Sequence, residues 1–165
     1  MTVERRLAEI HIEAARSKAL RVFAFAGAVF PGEWSSIYSE ELVTDLLEFG
    51  FHARRVNQIV GLDSHQFPSI HRLLVQISEG DPGGWLENYH WALNRLMHVR
   101  TLVVGHCNAD HRQTFLASKA NLVPLYVRIE TDERQMATIS LYGLVDCFLS
   151  SVIPEIRMRH SDWRF

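Results

Sequence analysis

The sequence predicts a mainly α fold, a four- to five-helix bundle whose only β structure is a short hairpin before the last helix. Two observations lead to this prediction. Apolar residues recur at spacings of three and four over several long stretches, as they do on one face of an α-helix. Hydrophobic residues also make up 47% and charged residues 22% of the 165-residue chain, which is typical of a globular domain that buries its own core.

Three helices are predicted in the first half of the chain. The first runs from Val3 to about Gly27, and its periodic apolar positions are Leu7, Ile10, Ala14, Ala15, Ala19, Val22 and Phe23. Ser39 has the character of an N-cap, which predicts a second helix from about Glu40 to Val60. Pro68 suits the first turn of a short third helix that ends near Ile77, and the glycine-rich run 80–84 predicts a loop.

The fourth predicted helix, from about Trp85 to Val104, contains the residues of greatest interest. Its apolar positions step along by three and four, and Arg100 falls on the same face as Leu93 and Val103. Beyond it, alternating residues predict a short β-hairpin that pairs Thr114–Ser118 with Leu122–Glu130. Pro124 restricts the second of these strands to a sheet edge.

The last predicted helix runs from about Glu133 to Ile153, with Asp132 as its cap and Pro154 as its stop signal. Residues 155–165 then form a basic C-terminal tail. Residues 1–154 are therefore predicted to be a single helical domain.

Charge and cysteine content exclude several classes of protein. The net charge of -2 is not that of a protein that coats nucleic acid, so any such contact is expected to be local. Cys107 and Cys147 form no CxxC pair and predict neither a disulfide framework nor a zinc ribbon. We find no signal-peptide pattern and no apolar run long enough to span a membrane, which predicts a cytoplasmic protein with no membrane association.

The segment from Arg100 to His106 is the principal candidate site. A guanidinium on a core-facing stripe requires a partner, because burying an unpaired charge is unfavourable. A fixed arginine binds phosphate in bidentate fashion, and a histidine with a pKa near ~6.5 transfers a proton at neutral pH. The alternative is structural: Arg100 pairs with Asp110 or another acidic neighbour, and His106 caps the helix end.

Further polar and aromatic residues near this segment are candidates for binding or for packing. Asn94 and His98 lie along one helical face, where they either extend a polar pocket or, as the more common case, form a solvated or interface stripe. The metal ligands available beside them are His106, Cys107, Asp110 and His111, but neighbouring residues at a helix end rarely converge on one ion, so we predict no metal and no cofactor. The aromatic residues Trp85, Tyr89 and Trp91 are predicted to pack in the core and at its rim.

The stretch Val99-Arg100-Thr101-Leu102-Val103-Val104-Gly105-His106, with Asp110 downstream, resembles the Arg-x(4-6)-His motif of the HEPN superfamily. Members of this superfamily are helical bundles, and the resemblance covers about Trp85 to Ile153. It implies a homodimer with a composite pocket and a metal-independent endoribonuclease of the toxin or defence type, with or without a cognate partner protein.

The resemblance also assigns roles to individual residues. Arg100 would stabilise the phosphate and His106 would act as general acid or base. Thr101, Asn94, Asp110 and His98 would then contact the RNA or nucleotide. The alternative is a non-catalytic helical module that binds a nucleotide or another protein, which is favoured by Thr101 standing where catalytic members carry Asn, Asp or His.

Overall fold

Two long helices, an antiparallel sheet and a C-terminal helical segment make up the fold, as a computed structural model of residues 3–70, 83–109, 118, 120–163 and 165 shows. The helices are α1 (Val3–Gly27), α2 (Ser35–Ile59), α3 (Tyr89–Met97), α4 (Leu141–Cys147) and α5 (Ile153–Arg159). The strands are β1 (Phe30–Pro31), β2 (Val99–Asn108), β3 (Asn121–Thr131) and β4 (Arg134–Ser140). A 3₁₀ turn, Gly32–Trp34, leads into α2, and a π-helical turn, Phe148–Val152, joins α4 to α5.

The helices α1 and α2 pack against each other in antiparallel fashion. The buried face of α1 contains four alanines, which allow a close approach: Ala8, Ala15, Ala19 and Ala26. The predicted bounds of the first helix are confirmed. The second helix begins at Ser35 rather than at Glu40, because the 3₁₀ turn before it already sets the helical direction, and the predicted cap Ser39 lies inside the helix.

The strand β3 is at the centre of the sheet. It pairs with β2 on one side and with β1 and β4 on the other, antiparallel in every case. Val127, Ile129 and Ile139 point from β3 and β4 into the same core cluster as the buried faces of α1 and α2. The fold is therefore a helical layer packed on one face of a sheet.

The prediction of a mainly α bundle is wrong, because the chain has an α+β fold. The largest difference lies in the predicted fourth helix, which is only α3, followed immediately by β2. Asn88 caps α3 by accepting a hydrogen bond from the backbone N–H of Trp91, so the helix starts four residues later than predicted. Val99, Thr101, Val103 and Val104 are β-branched, which favours the strand conformation over the helix.

The predicted last helix is wrong in its first half for a similar reason. Residues 134–140 form β4, in which Ala137 and Ile139 alternate with Thr138, and Ser140 then caps α4 by accepting from the backbone N–H of Gly143. Pro154 does not end the helical segment. It lies in the first turn of α5, directly after the π-helical turn, where its missing N–H leaves no hydrogen bond unmade.

The predicted hairpin is only partly correct. The strand Leu122–Glu130 is confirmed within β3, but its described partners are the other three strands. Of Thr114–Ser118, only Ser118 belongs to the described residues, and it lies in no strand. Pro124 is buried in the central strand, at the point where the register between β3 and β2 shifts. On the other side of β3, neither β1 nor β4 pairs with Pro124. A proline is tolerated there because no strand requires its missing N–H.

Two further predicted segments complete the comparison. Residues 68–70 of the predicted third helix are not helical, and the rest of it, to Ile77, lies outside the described part of the chain. The C-terminal tail continues α5 to Arg159, and its aromatic side chains Trp163 and Phe165 pack against the core. Arg5 of α1 forms an ion pair with Asp162 at 2.8 Å.

Aromatic side chains partly cover the sheet face opposite the helices. The ring of Tyr126 lies across Gly105, and a Cβ atom at position 105 would stand 2.0 Å from the Tyr126 ring. Trp85 packs edge-on against the same ring, with the two centroids 5.8 Å apart. Gly105 is therefore required for this close approach between β2 and β3.

Candidate functional site

A cavity of about 520 Å³ lies between α3, the start of β2 and the turn that joins β3 to β4. This volume is within the range of small-molecule binding sites. The residues that line it are Leu86, Trp91, Asn94, Arg95, His98, Val99, Thr131, Asp132, Glu133 and Arg134. Most of them carry a polar or charged side chain, so the cavity is suited to a polar ligand.

The amphipathic character of α3 places one wall of the cavity. Its buried positions, Tyr89, Ala92, Leu93 and Leu96, face the core. The cavity residues Trp91, Asn94, Arg95 and His98 follow one another by steps of three and four on another side of the helix. Core packing of α3 therefore holds these four side chains at the cavity.

Two guanidinium groups contribute to the cavity, one from α3 and one from β4. Arg95 of α3 donates from Nη1 to the backbone carbonyl of Gln135 at 3.1 Å. Partial burial, and secondly the charge of Arg134, lower the pKa of Arg95. Within the described residues, neither arginine forms an ion pair with a carboxylate. The cavity thus contains two guanidinium groups that form no direct ion pair, although carboxylates also line it.

The turn between β3 and β4 adds two carboxylates, Asp132 and Glu133. Asp132 points largely into solvent, with its Oδ1 3.9 Å from Nη1 of Arg100. Both partners of this pair are exposed, and such a pair contributes little to stability. Its effect is to bring Arg100 to the edge of the cavity.

The structure brings together some of the predicted site residues. Asn94 and His98 both line the cavity, and Arg100 reaches its edge through Asp132. The Arg100 side chain is 69% exposed, so the predicted position on a buried helical face is wrong: the helix ends before it and the residue lies at a β-bulge. Thr101 is exposed on β2.

Asp110 lies outside the described residues. His106 occupies a different environment from the cavity. It lies six positions along the extended strand from Arg100, a distance of roughly 20 Å at the usual rise. Its ring contacts Tyr38 of α2 edge-on, with centroids 5.6 Å apart, and burial lowers its pKa. One chain therefore does not form the predicted pocket between Arg100 and His106.

A metal site is not formed by the described residues, which contain no suitable group of three His, Cys, Asp or Glu side chains. Burial raises the pKa of the Cys107 thiol, which disfavours the thiolate that a metal would require. Asp110 and His111, the other ligands considered from the sequence, lie outside the described part of the chain.

Among the cavity residues that were not predicted as functional are Trp91, Arg95 and Arg134. The helical spacing that selected Asn94 and His98 also holds for Trp91 and Arg95, so this signal was available in the sequence. Arg134 had no such signal, because it reaches the cavity only through the pairing of β4 with β3.

Comparison of the chain with protein-family models, with curated proteins and with solved structures finds no match in any of the three. Of the helices that the structure describes, none combines the length and apolar character needed to cross a membrane.

Proposed function

We propose that this chain is a non-catalytic binding protein for a small phosphate-bearing ligand of the nucleotide class, which it holds in the cavity beside α3. The observation that carries the proposal is the pair Arg95 and Arg134, two arginines that line one cavity from α3 and β4 and form no ion pair with a carboxylate of the described residues. Like charges held close together destabilise each other until an anion lies between them. A phosphate group supplies that charge.

The chemistry of the guanidinium group favours phosphate over a simple halide or a neutral ligand. Its planar set of donors matches the geometry of phosphate oxygens and binds them in bidentate fashion. The bond from Arg95 to the carbonyl of Gln135 uses one nitrogen and orients the rest of the group. A partly buried, oriented arginine binds an anion more strongly than a fully solvated one.

The remaining cavity residues suit the other parts of a nucleotide. Trp91 is 63% exposed and presents an indole surface on which a base can stack. The amide of Asn94 offers both donors and an acceptor, and the carboxylates of Asp132 and Glu133 accept hydrogen bonds from sugar hydroxyls. This combination of ring, hydroxyl and anion contacts favours a nucleotide over inorganic phosphate alone.

The ribonuclease hypothesis remains a prediction, and no contact between Arg100 and His106 within one chain supports it. It needs Arg100 and His106 at one phosphate, and the fold places them at opposite ends of β2. A second chain would have to supply one of the two residues. The binding hypothesis needs only side chains that already surround one cavity.

Titration calorimetry with AMP, adenosine and inorganic phosphate tests the proposal. We expect AMP to bind, and adenosine to bind at least about tenfold more weakly, because it lacks the group that Arg95 and Arg134 would contact. Arg134→Gln should reduce AMP affinity by a similar factor. The matched control is Arg128→Gln, since Arg128 is also an exposed arginine of the sheet but does not line the cavity.

Two results would overturn the proposal. One is the absence of binding by AMP and by the di- and triphosphates at millimolar concentration. The other is an equal loss of affinity in Arg128→Gln and Arg134→Gln, which would indicate general charge attraction rather than a site.

A further inference from the structure

The two outer edges of the sheet are treated differently. At the β4 edge, the backbone of residues 84–86 runs alongside the strand: the N–H of Thr138 donates to the carbonyl of Gly84 at 2.9 Å, and the N–H of Leu86 donates to the carbonyl of Thr138 at 2.8 Å. At the β2 edge, no backbone of the described residues pairs with the strand from outside. Among the described residues, one edge is covered and the other is open.

The open strand has the composition of a pairing surface. Its sequence, VRTLVVGHCN, contains one charged residue and no lysine, proline, aspartate or glutamate of the kind that usually protects an exposed edge. None of its ten residues is fully buried, and Val103 at its middle is 51% exposed. A long apolar edge strand of this kind is a template for another strand.

The β-bulges in β2 limit the part that can pair regularly. The register with β3 shifts between Val99 and Thr101 and again between Gly105 and His106, which leaves Thr101–Gly105 as an unbroken stretch. This five-residue stretch is symmetric about Val103. Along an edge strand, the backbone N–H and C=O groups point outward only at alternate residues. When such a strand pairs in antiparallel fashion with its own copy, the two-fold axis therefore passes through one residue, which lies opposite itself.

We propose that two copies of this chain associate through antiparallel pairing of their β2 edges, with Val103 on the two-fold axis. Thr101 of each copy then lies opposite Gly105 of the other, Leu102 opposite Val104, and the two Val103 side chains face each other. All five pairs of the regular stretch are used, and most are aliphatic pairs of the kind that stabilise adjacent strands. The interface is isologous, as in most soluble homodimers.

The charge pattern of β2 fits a second copy as the occupant. Arg100, the one charged residue of the strand, lies outside the paired stretch, so the two arginines fall at opposite ends, roughly 20 Å apart at the usual rise per residue. Like charges at that separation are largely screened. In the same register, Arg100 of each copy lies level with His106 of the other. Within one chain these two residues are far apart.

Sedimentation equilibrium provides the first test. We expect the wild-type chain to sediment as a dimer at micromolar concentration, and Val103→Lys to shift it to a monomer, because two lysines would face each other across the axis. The monomer should still fold, since the Val103 side chain is half exposed. The matched control is Ile37→Lys, an exposed apolar residue of α2 that should leave the dimer intact.

Disulfide cross-linking tests the register itself. In a Cys107→Ser background, Val103→Cys should give a covalent dimer on mild oxidation, because residues facing each other across antiparallel strands are within the Cα separation of a disulfide. Thr101→Cys in the same background should not, since its two copies would lie about four residues apart along the strands. A wild-type chain that is monomeric at ~100 μM would overturn the proposal, as would a dimer that Val103→Lys leaves intact or that cross-links only through Thr101→Cys.

Discussion

The interface between α1 and α2 and the cavity beside α3 handle charge in opposite ways. Asp45 is only 2% exposed, and it accepts from Nζ of Lys18 at 2.9 Å and from Nε of Arg21 at 2.6 Å. Those two cations have further acidic partners, Glu48 and Glu41. In the cavity, Arg95 and Arg134 both line the wall, and neither has a described carboxylate at ion-pair distance.

The difference shows which charges serve the fold and which are available to a ligand. A buried carboxylate that accepts from two cations of the neighbouring helix fixes how the two helices meet, because its charge is satisfied only in that arrangement. The repulsion between Arg95 and Arg134 does not stabilise the fold. Under the proposed function, an anionic ligand would relieve it.

The largest expected effect is on the α1–α2 interface. We expect Asp45→Asn to lower the free energy of unfolding by about 2 kcal/mol, since the change weakens two charge-assisted hydrogen bonds to a buried acceptor. Urea denaturation followed by circular dichroism would measure it. The exposed partner offers a control: Glu41→Gln should change the same quantity by less than about 0.5 kcal/mol.

Equal losses in Asp45→Asn and Glu41→Gln would contradict the assignment of Asp45 as the centre of this network. A lower free energy of unfolding in Asp45→Asn, together with unchanged AMP binding, would show that the α1–α2 interface and the cavity beside α3 act independently.

A smaller effect is expected from pH, at the far end of the same helix pair. The Nδ1 atoms of His11 and His52 lie 2.8 Å apart, so one imidazole donates to the other and the accepting Nδ1 carries no proton. Burial lowers the pKa of both rings. For His11 the charges of His52 and Arg55 add to this, whereas for His52 the raising effect of Glu48 is larger than the lowering effect of Lys18.

The sign of the pH effect follows from these lowered pKa values. As pH falls below about 6.5, the unfolded chain takes up protons that the folded chain resists, so the free energy of unfolding decreases. His52→Gln should flatten this dependence between pH 7 and pH 5. It should not abolish it, because burial also lowers the pKa of His106. A wild-type stability that rises on acidification would contradict the prediction.

The smallest effect is expected in the cavity without ligand. Arg134→Gln should leave the melting temperature unchanged or slightly higher, because the change removes a repulsion with Arg95 and breaks no ion pair with a described residue. AMP should raise the melting temperature of the wild type and not of the variant, since only a folded state that binds the ligand is stabilised. Differential scanning fluorimetry measures both. A marked loss of stability without ligand would show that Arg134 serves the fold.

Sequence reasoning was most successful where a single periodicity extends over many residues. The first helix and the end of the second were predicted within a residue, and the stripe that joins Asn94 and His98 placed both at the cavity. Sequence reasoning failed at the start of β2, because two patterns overlap there. Leu96, Arg100 and Val103 have helical spacing, whereas Leu102 and Val104 have the alternate spacing of a strand. The cluster of β-branched residues was the signal that favoured the strand.

The sequence by itself determined α1, α2 and the polar side of α3, because helical hydrogen bonds join residues four apart and their apolar faces are visible in local spacing. Only the tertiary structure decided that residues 99–108 and 134–140 are strands, since both pair with β3, and the residues they pair with are set by the whole fold. That pairing separates Arg100 from His106 and brings Arg134 to the same cavity as Arg95. It also leaves the β2 edge without a partner among the described residues. The physical reason is that a strand completes its hydrogen bonds only with distant segments or with another chain.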